Sequence, residues 1–203
     1  MHEEILTQEQ SNLLPVIKFF IKDFYLVGGT AIALHVGHRR SIDFDLFTKN
    51  KFGNIAIKNK INKQAKITDI LVNKMQELTI LINNIKFTFF QYPFDIICTE
   101  KFNDIIKMPD LLTLAAMKAY ALGMRAKWKD YVDLYFILKN FYSLDDINKK
   151  AKSIFKQEYN ERIFRTQLSY FKDVDYQEKV IYLPGKAVDD RKIKSFLKEA
   201  SLE

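Results

Sequence analysis

Phe24-Tyr25-Leu26-Val27-Gly28-Gly29-Thr30, followed downstream by Ser41-Ile42-Asp43-Phe44-Asp45-Leu46-Phe47, is the stretch that decides how this chain folds. Phe24 to Val27 is apolar and β-favouring, so it reads as a short buried strand. Gly28-Gly29 then makes a tight turn that bares backbone N–H groups, and Thr30 opens a short helix. A helix N-terminus beside bare amides attracts phosphate. Ser41 to Phe47 alternates polar with apolar residues, which puts Asp43 and Asp45 on one face of a strand and Phe44 on the other. Two neighbouring carboxylates repel unless a cation joins them, and Mg2+ (or Mn2+) does so with oxygen ligands from one or two carboxylates, phosphates and water. Gly-Gly turns and Asp-x-Asp strand ends are each common as structural features. Strand, Gly-Gly-Thr, helix and Asp-x-Asp strand in this order are the layout of a nucleoside-triphosphate site with a bound metal.

The 203 residues can bury a core and form one domain or two small ones. Hydrophobic residues make up 48% and charged residues 28%, which excludes a disordered chain. No apolar run reaches the about 20 residues that span a bilayer, so no membrane partner is expected. Met1-His2-Glu3-Glu4-Ile5 is acidic where a secretory signal is basic and then apolar, and Cys98 is the sole cysteine, so no internal disulfide can form. The expected compartment is a reducing cytoplasm, with Cys98 a buried thiol beside Ile96 and Ile97. The formal net charge is +7, and residues 1–100 hold 12 Lys/Arg against 10 Asp/Glu while residues 101–203 hold 20 against 15. A basic second half joined to a triphosphate site suits an RNA partner, although a lysine-rich solvated surface explains the same composition.

Thr7 and Gln10 form a capping box ahead of Leu13, Leu14, Ile17, Phe20 and Ile21, which predicts a helix up to Lys22. After the acidic strand the pattern predicts a loop at Asn50–Asn54, a lysine-studded helix to Lys66, and strands at Ile67–Val72, Leu78–Ile82 and Ile85–Gln91. Asn83-Asn84 joins the last two as a hairpin, because Asn tolerates positive φ. Strand character fades after Pro93, and Met108-Pro109-Asp110 marks a boundary with Asp110 as an N-cap. Helices are predicted at Leu111–Leu122, Lys129–Phe141, from Ser143 or Leu144 to Gln157, at Asn160–Phe171 and from Asp189 or Asp190 onward. The expected architecture is α/β (α+β): a mixed sheet with flanking helices over residues 1–107, then a helical bundle over residues 108–203.

Lys118 and Arg125, seven apart, share one helix face. A lysine on a helix of small residues can reach into a pocket and meet a triphosphate oxygen, whereas an ordinary helical lysine snorkels at the surface. Asp130 and Asp133 on the following helix either serve its dipole or join the site.

Val27-Gly28-Gly29-Thr30-Ala31-Ile32-Ala33-Leu34, His38-Arg39-Arg40-Ser41-Ile42-Asp43-Phe44-Asp45-Leu46-Phe47, Met117-Lys118 with Arg125, and Lys129-Asp130-Tyr131-Val132-Asp133-Leu134 together resemble the AbiEii/AbiGii-type nucleotidyltransferases. That family lies in the DNA polymerase β-like nucleotidyltransferase superfamily, and many members are toxins of toxin–antitoxin or phage-abortive systems. The likeness runs from about Tyr25 to Leu138. It implies the polymerase β-like mixed sheet and a role for each motif. Gly28, Gly29 and Thr30 hold the β- and γ-phosphates, and Asp43 and Asp45 bind Mg2+. Lys118 neutralises the triphosphate, and Asp130 acts as a metal-side carboxylate or proton acceptor, with Asp133 the lesser of the two. Arg39, Arg40 and Arg125 are secondary phosphate contacts, Arg40 alternatively pairing with Asp43 or Asp45. Many members of the superfamily carry a third carboxylate on a later strand, where this chain has Thr88, which cannot serve as a base near neutral pH. Three functions follow: transfer of a nucleotide from an NTP to RNA, such as a tRNA 3′ end, or to a protein hydroxyl; a degenerate nucleotide- or RNA-binding module; or a component silenced by an antitoxin. Tyr131, Tyr135, Phe136, Phe141 and Tyr142 suit either the core or an interface, their spacing favouring the core.

Overall fold

The computed structural model describes residues 1–202. Helix α1 (Gln8–Lys18) opens with the predicted box: the Thr7 hydroxyl accepts the Gln10 N–H, and the Gln10 side chain accepts the Thr7 N–H. The helix ends at Lys18 rather than Lys22. Tight turns through Phe19–Asp23 replace its last turn and bring Phe20 against Phe24 and Phe89, with ring centroids 5.8 and 4.9 Å apart. Strand β1 (Tyr25–Val27) leads directly into α2 (Gly28–Val36), and β2 (Phe44–Thr48) returns antiparallel to β1. The lysine-rich helix α3 (Asn54–Ile61) is shorter than predicted, and β3 (Asp69–Lys74), β4 (Glu77–Ile82) and β5 (Ile85–Gln91) complete one sheet in the order β1-β2-β5-β4-β3. Only β2 and β5 run parallel, so the sheet is mixed, as expected. Asn83 and Asn84 turn β4 into β5 with φ of 50° and 64°, the positive pair a two-residue hairpin loop demands.

A small hairpin, β6 (Glu100–Phe102) and β7 (Ile106–Met108), lies where the pattern predicts no strands, and β7 packs beside β1. Three-residue strands are too short to show a period in the sequence. Asp110 caps α4 (Leu111–Leu122), accepting the Thr113 N–H at 2.6 Å. Helices α5 (Trp128–Asn140), α6 (Leu144–Phe155), α7 (Glu161–Ser169) and α8 (Asp190–Ala200) follow close to their predicted limits.

Ala115, Ala116 and Ala119 are buried on α4, and α2 packs against both α4 and α5. Small side chains permit that close approach. Phe44, Leu46, Phe87, Phe89, Leu78 and Ile80 are all fully buried on one face of the sheet, each contributing about 1.5–3 kcal/mol by leaving water. Alternation turns their neighbours to the opposite face, where the cleft opens. One hydrophobic core joins the sheet to the helices of the second half. No helix among the described residues is long and apolar enough to cross a membrane. Cys98 is partly buried, and burial pushes its thiol up to about 11, which makes it a poor nucleophile.

Candidate active site

The cleft has a volume of about 520 Å³ and is floored by alternate residues of β2, β5 and β4. Asp45, Thr88 and Thr79 stand in register across the three strands; Phe47, Phe90 and Glu77 form the next row. Asp43 and Lys86 precede them on the same face. The start of α2 forms one wall. Lys118, Arg125, Lys127, Lys129 and Asp130 line the other.

Gly28 has a φ of +72°, and a Cβ there would lie 2.1 Å from Asp45 Oδ2. A Cβ on Gly29 would lie 2.7 Å from Arg39 Nη2 and 2.9 Å from Ser41 Oγ. The diglycine therefore lets Asp45 press against the first turn of α2, whose N-cap, Val27, supplies no side-chain acceptor. Free amides and the positive end of a helix thus lie beside the acid pair. Gly28→Ala is expected to cost about 1–3 kcal/mol through the strained φ and the displaced carboxylate. Urea denaturation checks this, and an unchanged midpoint contradicts it.

Asp43 Oδ2 lies 2.6 Å from Lys86 Nζ, with both side chains about one-third exposed. Burial opposes the charge of Lys86, but the hydrogen bond and charge of Asp43 outweigh it and raise the pKa. Asp45 is also raised, first by burial and then by the charge of Asp43, with Lys86, Arg125 and Lys118 pulling the other way. Its carboxylate is short of positive charge. Among the described residues no group of three or more His, Cys, Asp or Glu could hold a metal ion. Two hard oxygen donors, one of them penalised while it lacks a cation, suit Mg2+ or Mn2+ carried in with a triphosphate.

A buried ion network braces the wall behind this pair. Asp133 accepts from Arg39 Nε and Nη2 at 2.7 and 2.9 Å, from His38 Nε2 at 2.8 Å, and from Lys118 Nζ at 3.0 Å. Lys118 Nζ also donates to Asp130 Oδ1 at 2.7 Å. Asp130 Oδ2 is buried without a hydrogen-bond partner, 3.5 Å from Arg125 Nε. Burial opposes the charge of Asp133, but Arg39 and Lys118 outweigh it and hold the carboxyl well below its ordinary range. For Lys118 burial likewise opposes the charge, and Asp130 and Asp133 overcome it and raise the pKa. His38 is lowered by burial despite its contact with Asp133, which favours the neutral imidazole.

Gly28, Gly29, Asp43, Asp45, Lys118, Arg125 and Asp130 all border this one cleft. Three expectations need correction. The Thr30 side chain is buried off the cleft, and its hydroxyl donates to the carbonyls of Asp43 and Ser41, fixing the entry to β2 instead of meeting phosphate. Arg40 turns away: its Nη1 donates to Leu6 O at 3.1 Å, so it borders neither the cleft nor the acid pair, and Lys86 takes the expected partner. Arg39 borders the cleft but is locked on Asp133, whose charge draws it inward, while Arg40, the next residue along, is held by Leu6 O instead.

Sequence reasoning gave no role to Lys86, Lys127, Lys129 or Glu178. Lys86 was open to it, since it lies two residues before Thr88 on the same strand face. Glu178 was not. It sits in the irregular stretch between α7 and α8 and reaches Lys127 Nζ at 2.7 Å and Lys129 Nζ at 3.1 Å. The Lys127 hydrogen bond, against partial burial and with help from Lys129, lowers its pKa to about 2. Backbone bonds moor this stretch at both ends: Trp128 N–H to Asp175 O at 2.9 Å, and Arg40 N–H to Ile181 O at 2.8 Å.

A glycine-lined helix start facing an Asp-x-Asp strand, with a lysine delivered from a later helix, is the arrangement the sequence resemblance implied. A model of the nucleotidyl transferase AbiEii toxin of type IV toxin–antitoxin systems matches residues 16–91 and 86–201. The chain belongs to this AbiEii family. An uncharacterized protein of Aquifex aeolicus is 35% identical over 156 residues, which cover 74% of this chain and 75% of that protein. Among solved structures, the nucleotidyltransferase toxin MenT4 of Mycobacterium tuberculosis superposes with a TM-score of 0.60 at 10% identity, covering 95% of this chain and 80% of that one. JHP933 of Helicobacter pylori gives a TM-score of 0.60 at 15% identity, covering 97% and 92%. At such identities the two structures speak for the fold alone. For this AbiEii-family chain the fold is that of a nucleotidyltransferase.

Proposed function

We propose that this AbiEii-family chain transfers a nucleotidyl group from an NTP to a hydroxyl of RNA. The observation that carries the reading is the convergence of Asp43 and Asp45, the uncapped start of α2 and a cationic wall on one cleft. The amides after Gly28 suit the β- and γ-phosphates, Arg125 faces the same volume as a charge partner for them, and Lys118, held between Asp130 and Asp133, adds its charge from the wall. Asp43 and Asp45 would hold Mg2+ or Mn2+, which when bound polarises the α-phosphate and offsets the charge that develops on it. The acceptor oxygen bonds to the α-phosphorus, the bond to the bridging oxygen breaks, and pyrophosphate leaves. The hydroxyl proton passes to Asp130, whose Oδ2 carries no hydrogen bond and lies 3.5 Å from Arg125 Nε.

RNA as acceptor is supported by the net charge of +7 and by Lys127 and Lys129 on the cleft wall, two cations that share the single carboxylate of Glu178. A tRNA 3′ end is the narrower form of the proposal. Residues 1–107 then act as the nucleotide-holding unit, and residues 108–203 bring Lys118 and Asp130 to it. A cognate antitoxin and a cytoplasmic setting rest on family membership and composition. Thr88, in register with Asp45 where a third carboxylate would stand, favours a second reading: a module that binds nucleotide without turnover.

Incubation of the purified chain with each labelled NTP, Mg2+ and total RNA separates these readings. Label in RNA with stoichiometric pyrophosphate is the expected result. Thermal stabilisation by NTP without product supports the binding module, and no stabilisation by any NTP overturns both.

A further inference from the structure

The register that places Thr88 beside Asp45 also places Lys86 beside Asp43, with its ammonium 2.6 Å from Asp43 Oδ2. An ion arriving at Asp43 must therefore displace Lys86 and then tolerate its charge close by. The bare chain offers such an ion little in return. Its acid pair supplies two carboxylates, one already engaged, and among the described residues no third His, Cys, Asp or Glu completes a cluster. A triphosphate changes both terms, because it brings further oxygens to the ion and offers Lys86 another anion.

Lys86 is built to make that exchange. Its side chain is about one-third exposed and has a flexible four-carbon stem, so the ammonium can swing within the cleft. Lys118 cannot do the same, since it is buried and clamped between Asp130 and Asp133. Arg125 is loosely placed and touches neither acid of the pair.

Resting on the reading that this cleft takes an NTP with a divalent ion, we propose that Lys86 makes binding of the ion conditional on the triphosphate. It holds Asp43 while no ion is present, disfavours a lone divalent cation, and moves to a triphosphate oxygen when ion and nucleotide enter together. Lys86 is thus a positioning residue for Asp43. It protects the chain from taking up a metal with no substrate attached.

The test is Mn2+ binding to the full chain, followed by loss of the free-ion EPR signal, with and without an α,β-methylene NTP that cannot be cleaved at that bond. In the wild-type chain, Mn2+ alone binds weakly, and Mn2+ and the analogue tighten each other by about tenfold or more. Lys86→Met is expected to tighten Mn2+ alone by about tenfold and to shrink the mutual gain by a similar factor. Lys86→Arg keeps the wild-type pattern, because the charge remains. Lys86→Gln is measured in parallel, so that a folding defect in one neutral variant leaves the other to decide. Neutral variants that bind lone Mn2+ no better than wild type, with the mutual gain intact, overturn the role of Lys86 and leave the NTP reading standing. A wild-type chain that takes up neither Mn2+ nor analogue, even together, overturns both.

Discussion

Asp45→Asn is expected to cut nucleotidyl transfer by at least about a hundredfold while leaving the chain as stable as before or slightly more so. The two effects have one cause. Asp45 is held against the start of α2 beside Asp43, where burial and the neighbouring charge raise its pKa. The folded state therefore binds this proton more tightly than the unfolded state does. The stability contributed by Asp45 falls as pH rises through the raised folded pKa, and above that range the ionised carboxylate is a burden on the fold. Asparagine keeps the shape, removes that burden and removes the charge that a divalent ion needs. Pyrophosphate release and urea midpoints at pH 7 measure the two halves separately. Turnover within about tenfold of wild type would sink the assignment of Asp45, and a large loss of stability would show that the acid pair serves the fold.

Asp133→Ala is expected to destabilise the chain by about 3–5 kcal/mol, because it strands buried positive charge. The carboxylate is fully buried and accepts from Arg39, His38 and Lys118 at once. For a chain of this length the loss corresponds to a fall in Tm of roughly 6–20 °C. Removing Arg39 as well, in Arg39→Met with Asp133→Ala, should recover part of the loss, since fewer groups are left unpaired. The acid response has a definite sign. Asp133 is depressed in the folded state, so its stabilisation is present above the ordinary carboxylate pKa and is lost as pH falls towards the depressed folded value. The Ala variant should lose that part of the wild type's acid sensitivity. Thermal unfolding across this acid range checks both points, and a variant as stable as wild type at neutral pH contradicts them.

The family's second aspartate thus has a different task from its first. Asp133 holds Arg39 and Lys118 in place, whereas Asp130 keeps one oxygen without a hydrogen bond, facing Arg125 within the same wall. The sequence resemblance gave Asp130 the site role and left Asp133, three residues on in the same helix, without a definite task. Only their neighbours from other parts of the chain separate them: His38 lies 95 positions from Asp133.

What the sequence determined by itself was local. The alternation that aims Asp43 and Asp45 at one face, the Asn83-Asn84 hairpin and the Asp110 cap each depend on backbone stereochemistry and side-chain period within a few residues, whereas the diglycine, expected as a turn before the helix, forms the first residues of α2 itself. Those features were enough to set the mixed sheet and locate the acid pair. Tertiary structure decided which charges meet. It locked Arg39 on Asp133, turned Arg40 and the Thr30 hydroxyl away from the cleft, set Lys86 on Asp43 and brought Glu178 to Lys127. The reason is physical: a charge selects its partner by distance and burial, and packing sets both between residues far apart in the chain.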